Sequence, residues 1–198
     1  MKTADKRSYR MVARAEAAAL TGERIIDAAV ELFFEEPAGT VSLDEVARRA
    51  GVTVQTVIRR FGGREGLMAA AAERENGRVR EERVVTPGDV ESAVRVLVEH
   101  YERVGDRALR MLAEESRSEA LRASVDEGRR MHHDWCATVF APTLAGLDGA
   151  DRARRLAQLV AVCDVYTWML LRRQSGLSRT QTERALRELL TPLTDTKE

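Results

Sequence analysis

The sequence predicts an all-α protein of about nine helices: an N-terminal three-helix domain of helix-turn-helix pattern, then a larger helical domain. Three observations carry this. Apolar residues recur at i, i+3, i+4 and i+7 along most of the chain. Helix-capping signals and isolated Gly or Pro residues punctuate those stripes. Charged residues make up 32% and aromatics 5% of 198 residues, as in soluble helical proteins, and the length allows a sizeable core.

Residues 1–20 read as a flexible basic arm, with Lys2, Lys6, Arg7, Arg10 and Arg14 against Asp5 and Glu16; such arms follow a minor groove or a phosphate backbone. A first helix is expected from Thr21 as N-cap, with Ile25, Ala28, Ala29, Leu32 and Phe33 on one face and a stop at Pro37-Ala38-Gly39. Ser42 and Glu45 form a capping-box pattern, so a second helix starts at Leu43 and places Leu43, Val46, Ala47 and Ala50 on one stripe. Gly51 suits the tight corner that follows. A third helix over Val54–Phe61 turns Val57 and Phe61 inward. Its outward residues are Thr53, Gln55, Thr56, Arg59 and Arg60, with no acid between Glu45 and Glu65. Cations on such a face suit phosphate, and Gln and Thr suit base edges in the major groove. The candidate DNA-binding set is Ser42, Thr53, Val54, Gln55, Thr56, Arg59, Arg60 and Arg64. Residues 21–66 form this domain.

On Arg24–Leu67, with Ile25-Ile26, Ala28-Ala29, Leu32-Phe33, Ser42, Val46-Ala47, Ala50-Gly51-Val52, Thr56, Phe61, Arg64-Glu65 and Leu67, the chain resembles the N-terminal domain of TetR-type (TetR/AcrR) transcriptional regulators. The resemblance implies a homodimeric repressor that binds a palindromic double-stranded DNA operator and answers to an unknown small-molecule effector held by C-terminal helices. Two positions depart from the family pattern. Ile58 stands where a Tyr is common, which removes a phosphate-donating hydroxyl. Arg64 replaces a common Lys and keeps the cation.

The formal charge is zero, so a nucleic-acid function rests on the placement of charge rather than its sum. Lysine occurs at Lys2, Lys6 and Lys197 alone, leaving arginine as the main cation. The GGREG string at Gly62 follows a helix and lacks a Gly-Lys-Ser/Thr ending, which argues against a nucleotide loop; the helix N-terminus at Arg64 suits a single phosphate. Cys136 and Cys163 make no secreted disulfide framework. With no apolar leader or spanning segment, a cytoplasmic protein without membrane contact is expected.

Residues 67–84 continue as a linking helix, rich in Ala, to about Glu82. Residues 85–198 form the second domain. Thr86 as cap and Pro87 at the first position open a helix carrying Val90, Ala93, Val94, Leu97, Val98, Tyr101 and Val104, ended by Gly105. A short helix over Arg107–Glu115 and another from Ser118 to before Pro142 follow. Along them His100, Tyr101, Met111, His132, Trp135 and Phe140, joined by Trp168, are the candidate ligand-pocket residues, apolar groups with a few polar handles. No metal site is expected, because adjacent His132 and His133 point about 100° apart. No cofactor or catalytic set is expected either. The competing function is a helical small-molecule-binding protein or enzyme without DNA contact. One helix over Asp151–Gln174 and a second, capped by Ser178 and Gln181, are expected to pair with their copies. Leu159, Val162, Tyr166, Leu186, Leu189 and Leu190 are the candidate dimer contacts.

Overall fold

In a computed structural model the chain is described over residues 2–35, 41–117 and 119–195. The expected stop at Pro37-Ala38-Gly39 lies outside them. The helices are α1 (Lys2–Glu35), α2 (Leu43–Ala50), α3 (Val54–Phe61), α4 (Arg64–Glu82), α5 (Val90–Glu114), α6 (Glu119–Val139), α7 (Ala141–Leu144), α8 (Gly149–Val162), α9 (Val165–Met169) and α10 (Arg179–Thr194). No strand occurs among the described residues. The chain divides into two compact units, Met1–Asn76 and Gly77–Glu198, and the division falls inside α4.

In the first unit α1 supplies Ile25, Ala28, Ala29 and Leu32 to a core completed by Val41, Val46, Ala47, Ala50, Val57, Leu67 and Ala71. The expected separate arm is corrected: α1 runs back to Lys2. Thr21 is no N-cap, because its hydroxyl donates to the Ala17 carbonyl at 2.8 Å inside the helix. Arg14–Leu20 is exposed, so helix propensity in this Ala-rich stretch, rather than burial, extends the helix. Arginines then tie neighbouring helices to α1. Arg49 of α2 pairs with Glu35 at 2.8 Å, and Arg74 of α4 pairs with Asp27 at 2.9 Å and with Glu23.

The second unit buries Val94, Leu97, Val98 and Tyr101 of α5 against Cys136, Val139, Phe140, Leu144, Leu156, Leu159, Trp168, Leu186 and Leu190. Three expected boundaries are corrected there. Thr86 and Pro87 lie in a turn, and Asp89 caps α5 by accepting from the Ser92 N–H at 3.0 Å. Gly105 does not end a helix. It is buried within α5 beneath Trp168, and an added Cβ would sit 2.5 Å from the indole Cζ3. The helix expected over Asp151–Gln174 breaks at Cys163-Asp164. Asp164 is the N-cap of α9 and accepts from the Tyr166 N–H at 2.9 Å. A π-helical turn over Leu170–Gln174 follows. The capping box at α10 forms as expected, with Ser178 N–H to Gln181 at 2.8 Å and Gln181 N–H to Ser178 at 3.3 Å.

Gly105→Ala should lower stability by about 1–3 kcal/mol, because the fully buried indole above it has nowhere to move; an unchanged thermal midpoint would contradict this packing. His100 gives a pH dependence. Burial, with Arg83 and Arg103 nearby, pushes its imidazole from 6.5 down to about 3. The unfolded chain therefore binds a proton that the folded chain refuses between those values, so stability is present above pH 6.5 and is lost as pH falls. Between pH 7 and pH 5 this one group should cost about 2 kcal/mol, and His100→Gln should flatten that part of the unfolding curve.

Candidate nucleic-acid interface

The interface is built on the corner between α2 and α3. Ser42 caps α2 by accepting from the Glu45 N–H at 3.2 Å. The capping box expected there is only half made, because the Glu45 carboxylate turns forward to Arg48. That pairing, a hydrogen bond from Arg48, holds the Glu45 carboxyl below its usual range. Gly51 takes the left-handed conformation (φ 65°, ψ 40°), and the Val52 N–H closes back on the Ala47 carbonyl at 2.9 Å. Thr53 then caps α3, accepting from the Thr56 N–H at 3.3 Å, and the two hydroxyls lie 3.0 Å apart.

Val57 is fully buried, and Val54 and Phe61 are partly so, which fixes the inner side of α3. The pitch of 100° per residue places Gln55 and Arg59 on the opposite side, with Thr56 beside them. Gln55 and Arg59 are exposed, and Arg59 has no ion pair or hydrogen bond among the described residues. Ile58, the departure from the family pattern, is also exposed, at 39%. Arg60 turns back: its guanidinium lies over Gly22 of α1, where an added Cβ would be 2.3 Å from Nε. Arg64 opens α4 and commits Nε to the Val41 carbonyl at 3.0 Å. Of the expected cations, Arg59 therefore presents its charge most directly. Gly66 is the residue that sequence reasoning missed. The first turn of α4 meets the end of α3 so closely that a Cβ at Gly66 would lie 1.8 Å from the Phe61 carbonyl oxygen.

The candidate pocket residues fall into two groups in the second unit. Tyr101 lies between His100 and Trp168, with ring centroids 5.4 and 5.9 Å away, and its hydroxyl donates to the Cys163 carbonyl at 3.0 Å. Trp135 stacks near His132 and meets Phe140 edge-on at 6.5 Å. Phe140 and Trp168 are fully buried and fill the core. Met111, partly buried, sits about 15 Å along α5 from Tyr101 and joins neither group. An open hollow of about 540 Å³ lies elsewhere, lined by His133, Gly149, Arg152, Ala153, Leu156, Ala157, Val160 and Ala161. Sequence reasoning also passed over Arg83, which lies buried beside His132 and Trp135. The candidate dimer contacts divide as well. Leu159, Leu186 and Leu190 are buried in the chain's own core, which corrects their assignment to an interface. Tyr166 and Leu189 are exposed, together with Leu170, while Val162 is partly buried.

The family model for the bacterial regulatory proteins of the tetR family matches residues 25–71. An uncharacterized HTH-type transcriptional regulator of Mycobacterium tuberculosis is 39% identical over 80 residues, 40% of this chain and 40% of its own length. The chain thus spans less than half of the curated relative it matches. The fold is similar to that of a tetR-family transcriptional regulator from Streptomyces coelicolor (TM-score 0.67, 21% identity, 87% of this chain and 81% of that one). It is also similar to the multidrug binding protein EbrR, solved with imidazole (TM-score 0.58, 24% identity, 89% of this chain and 96% of that one). No helix among the described residues is long and apolar enough to cross a membrane.

Gly66→Ala should loosen the seat of α4 on α3 and lower the stability of the first unit by at least about 1–3 kcal/mol, since a backbone carbonyl cannot yield as a side chain does. Amide exchange of α3 reads this directly. Protection equal to that of the parent chain would contradict the close approach.

Proposed function

We propose that this chain, a member of the tetR family of bacterial regulatory proteins, is a sequence-specific DNA-binding transcriptional regulator rather than an enzyme. It acts in the cytoplasm as a ligand-responsive repressor and binds a palindromic operator as a homodimer. The observation that carries this reading is the outward face of α3. It exposes Gln55 and an Arg59 that has no partner among the described residues, while the arginines of α2 are paired with acids.

In this reading α3 enters the major groove with Gln55, Thr53 and Thr56 toward base edges. Arg59 faces phosphate, and the free N–H groups at the start of α4 hold a further phosphate. Ile58 offers an apolar contact to a thymine methyl where family members commonly have a hydroxyl. Two copies related by a two-fold axis present their α3 helices about 34–36 Å, or a multiple of that, apart on one face of the duplex. Exposed Tyr166, Leu170 and Leu189, on α9, its π turn and α10, support pairing of the second units. The fold shared with a multidrug binding protein supports a small-molecule effector in that unit. A difference in effector affinity of a few kcal/mol between DNA-competent and incompetent states suffices for switching.

Footprinting of the purified chain on its own genome identifies the operator. On that duplex Arg59→Ala should weaken specific and non-specific binding alike and reduce the slope of log K against log salt by about one; an unchanged slope would remove Arg59 from the phosphate set. Gln55→Ala should alter base preference instead. Tyr166→Asp combined with Leu189→Asp should give monomers in sedimentation and weaken operator binding. Dimers that persist would place the interface elsewhere.

A further inference from the structure

We infer that the second unit contains a binding site for a small organic anion, a carboxylate on an apolar body, centred on the buried guanidinium of Arg83. This names the chemical class of effector for the regulator proposed above and rests on that reading for its regulatory consequence.

Arg83 follows the last turn of α4, and its side chain is almost wholly enclosed, with 6% of the residue exposed. A guanidinium keeps its proton and can only donate, so burial without an acid leaves a charge uncompensated. Among the described residues no carboxylate meets it. Trp135 covers one face, with its ring 4.1 Å from Cζ, and the indole N–H donates to the Arg83 carbonyl at 2.8 Å. His132 places Nδ1 3.4 Å from Nη2. Since the guanidinium cannot accept, Nδ1 must, which puts the imidazole proton on Nε2, 3.2 Å from the Val160 carbonyl. His132 therefore meets the guanidinium as an acceptor and brings no negative charge to it. Among the described residues Arg83 Nε is buried without a partner, and so is Nδ1 of nearby His100.

Other arginines of this unit show what is missing. Arg172 holds Glu102 at 2.7 Å, and Arg173 holds Asp106 at 3.0 Å. The missing acid at Arg83 is what a ligand would bring. A planar guanidinium with an unused N–H matches a carboxylate, and one cation matches one negative charge. Partly buried Trp135 provides the aromatic wall that an apolar body needs. A phosphate dianion would demand a second cation, and nearby Arg103 is already held by Glu82.

The test uses the full chain, read by thermal midpoint and by the fluorescence of Trp135 and Trp168. The probes are benzoate and octanoate against the neutral benzamide and octanamide at matched ionic strength. The acids should raise the midpoint and bind at least about tenfold more tightly than the amides. Arg83→Met should remove that preference. It should also fold with a higher midpoint when no ligand is present, because an uncompensated buried charge has been replaced by an apolar chain. Equal responses to acids and amides, no response to either acid, or an acid preference that survives in Arg83→Met would overturn the site. A lower ligand-free midpoint in Arg83→Met would do so too, by revealing an internal counter-charge such as the Cys136 thiolate. Duplex binding is measured in parallel. Its absence from the parent chain counts against the regulator reading alone, while acid preference lost with Arg83 supports the site in either case.

Discussion

The geometry of the first unit depends on one backbone corner. Gly51 at φ 65° lets α2 stop and α3 begin within three residues, and the Val52-to-Ala47 hydrogen bond locks the reversal. An added Cβ there would touch nothing within 4 Å, so the constraint is conformational rather than steric crowding by neighbours. A residue with a side chain would hold that left-handed conformation at a cost of about 1–2 kcal/mol. Once the corner is closed, Val46, Ala47 and Val57 bury together. Helical pitch then decides which residues of α3 face outward. The exposure of Gln55 and Arg59 follows from the burial of Val57.

The second determinant is the division of charge within a chain whose formal charge is zero. Arg48, Arg49 and Arg74 are used internally, joined to acids of α1 and α2. The stretch from Val46 to Arg64 contains no acid, so the α3 arginines find no carboxylate on their own helix. Arg60 and Arg64 rest against backbone of the same unit, while Arg59 remains outward. Exposed ion pairs contribute little to stability. Their effect here is on where positive potential stays available.

The second unit shows how a core can absorb residues that look like a binding site in sequence. Tyr101 donates to the Cys163 carbonyl, and the Trp168 N–H reaches Glu102 at 3.3 Å while Gly105 makes room for its ring. Aromatic groups satisfied in this way are filling. Arg83 is different in kind, because its charge is enclosed and its Nε has no acceptor among the described residues.

Local chemistry made much of this protein legible without coordinates. Caps at Ser42 and Ser178 and the corner at Gly51 act within a few residues of themselves, so the bounds of α2, the start of α3 and the start of α10 follow from composition and spacing. So did the outward set on α3, because the absence of acids is a property of the chain. What spacing could not determine was which apolar or charged group another helix would cover. Gly105 read as a stop because its role is to admit an indole more than sixty residues away. Asp164 read as part of one expected helix over Asp151–Gln174, because its role is to begin a second helix that only the break reveals. Leu186 and Tyr166 have similar apolar character, yet one fills its own core and the other faces out, and Arg83 resembles every other arginine until its surroundings are known. Where a cap or corner residue is explicit, as at Ser42, Gly51 and Ser178, short-range hydrogen bonds set the helix end and the sequence determines it by itself; burial, charge compensation and the continuation or break of the longer helices were decided only in the tertiary structure, where neighbours distant in the chain come into play.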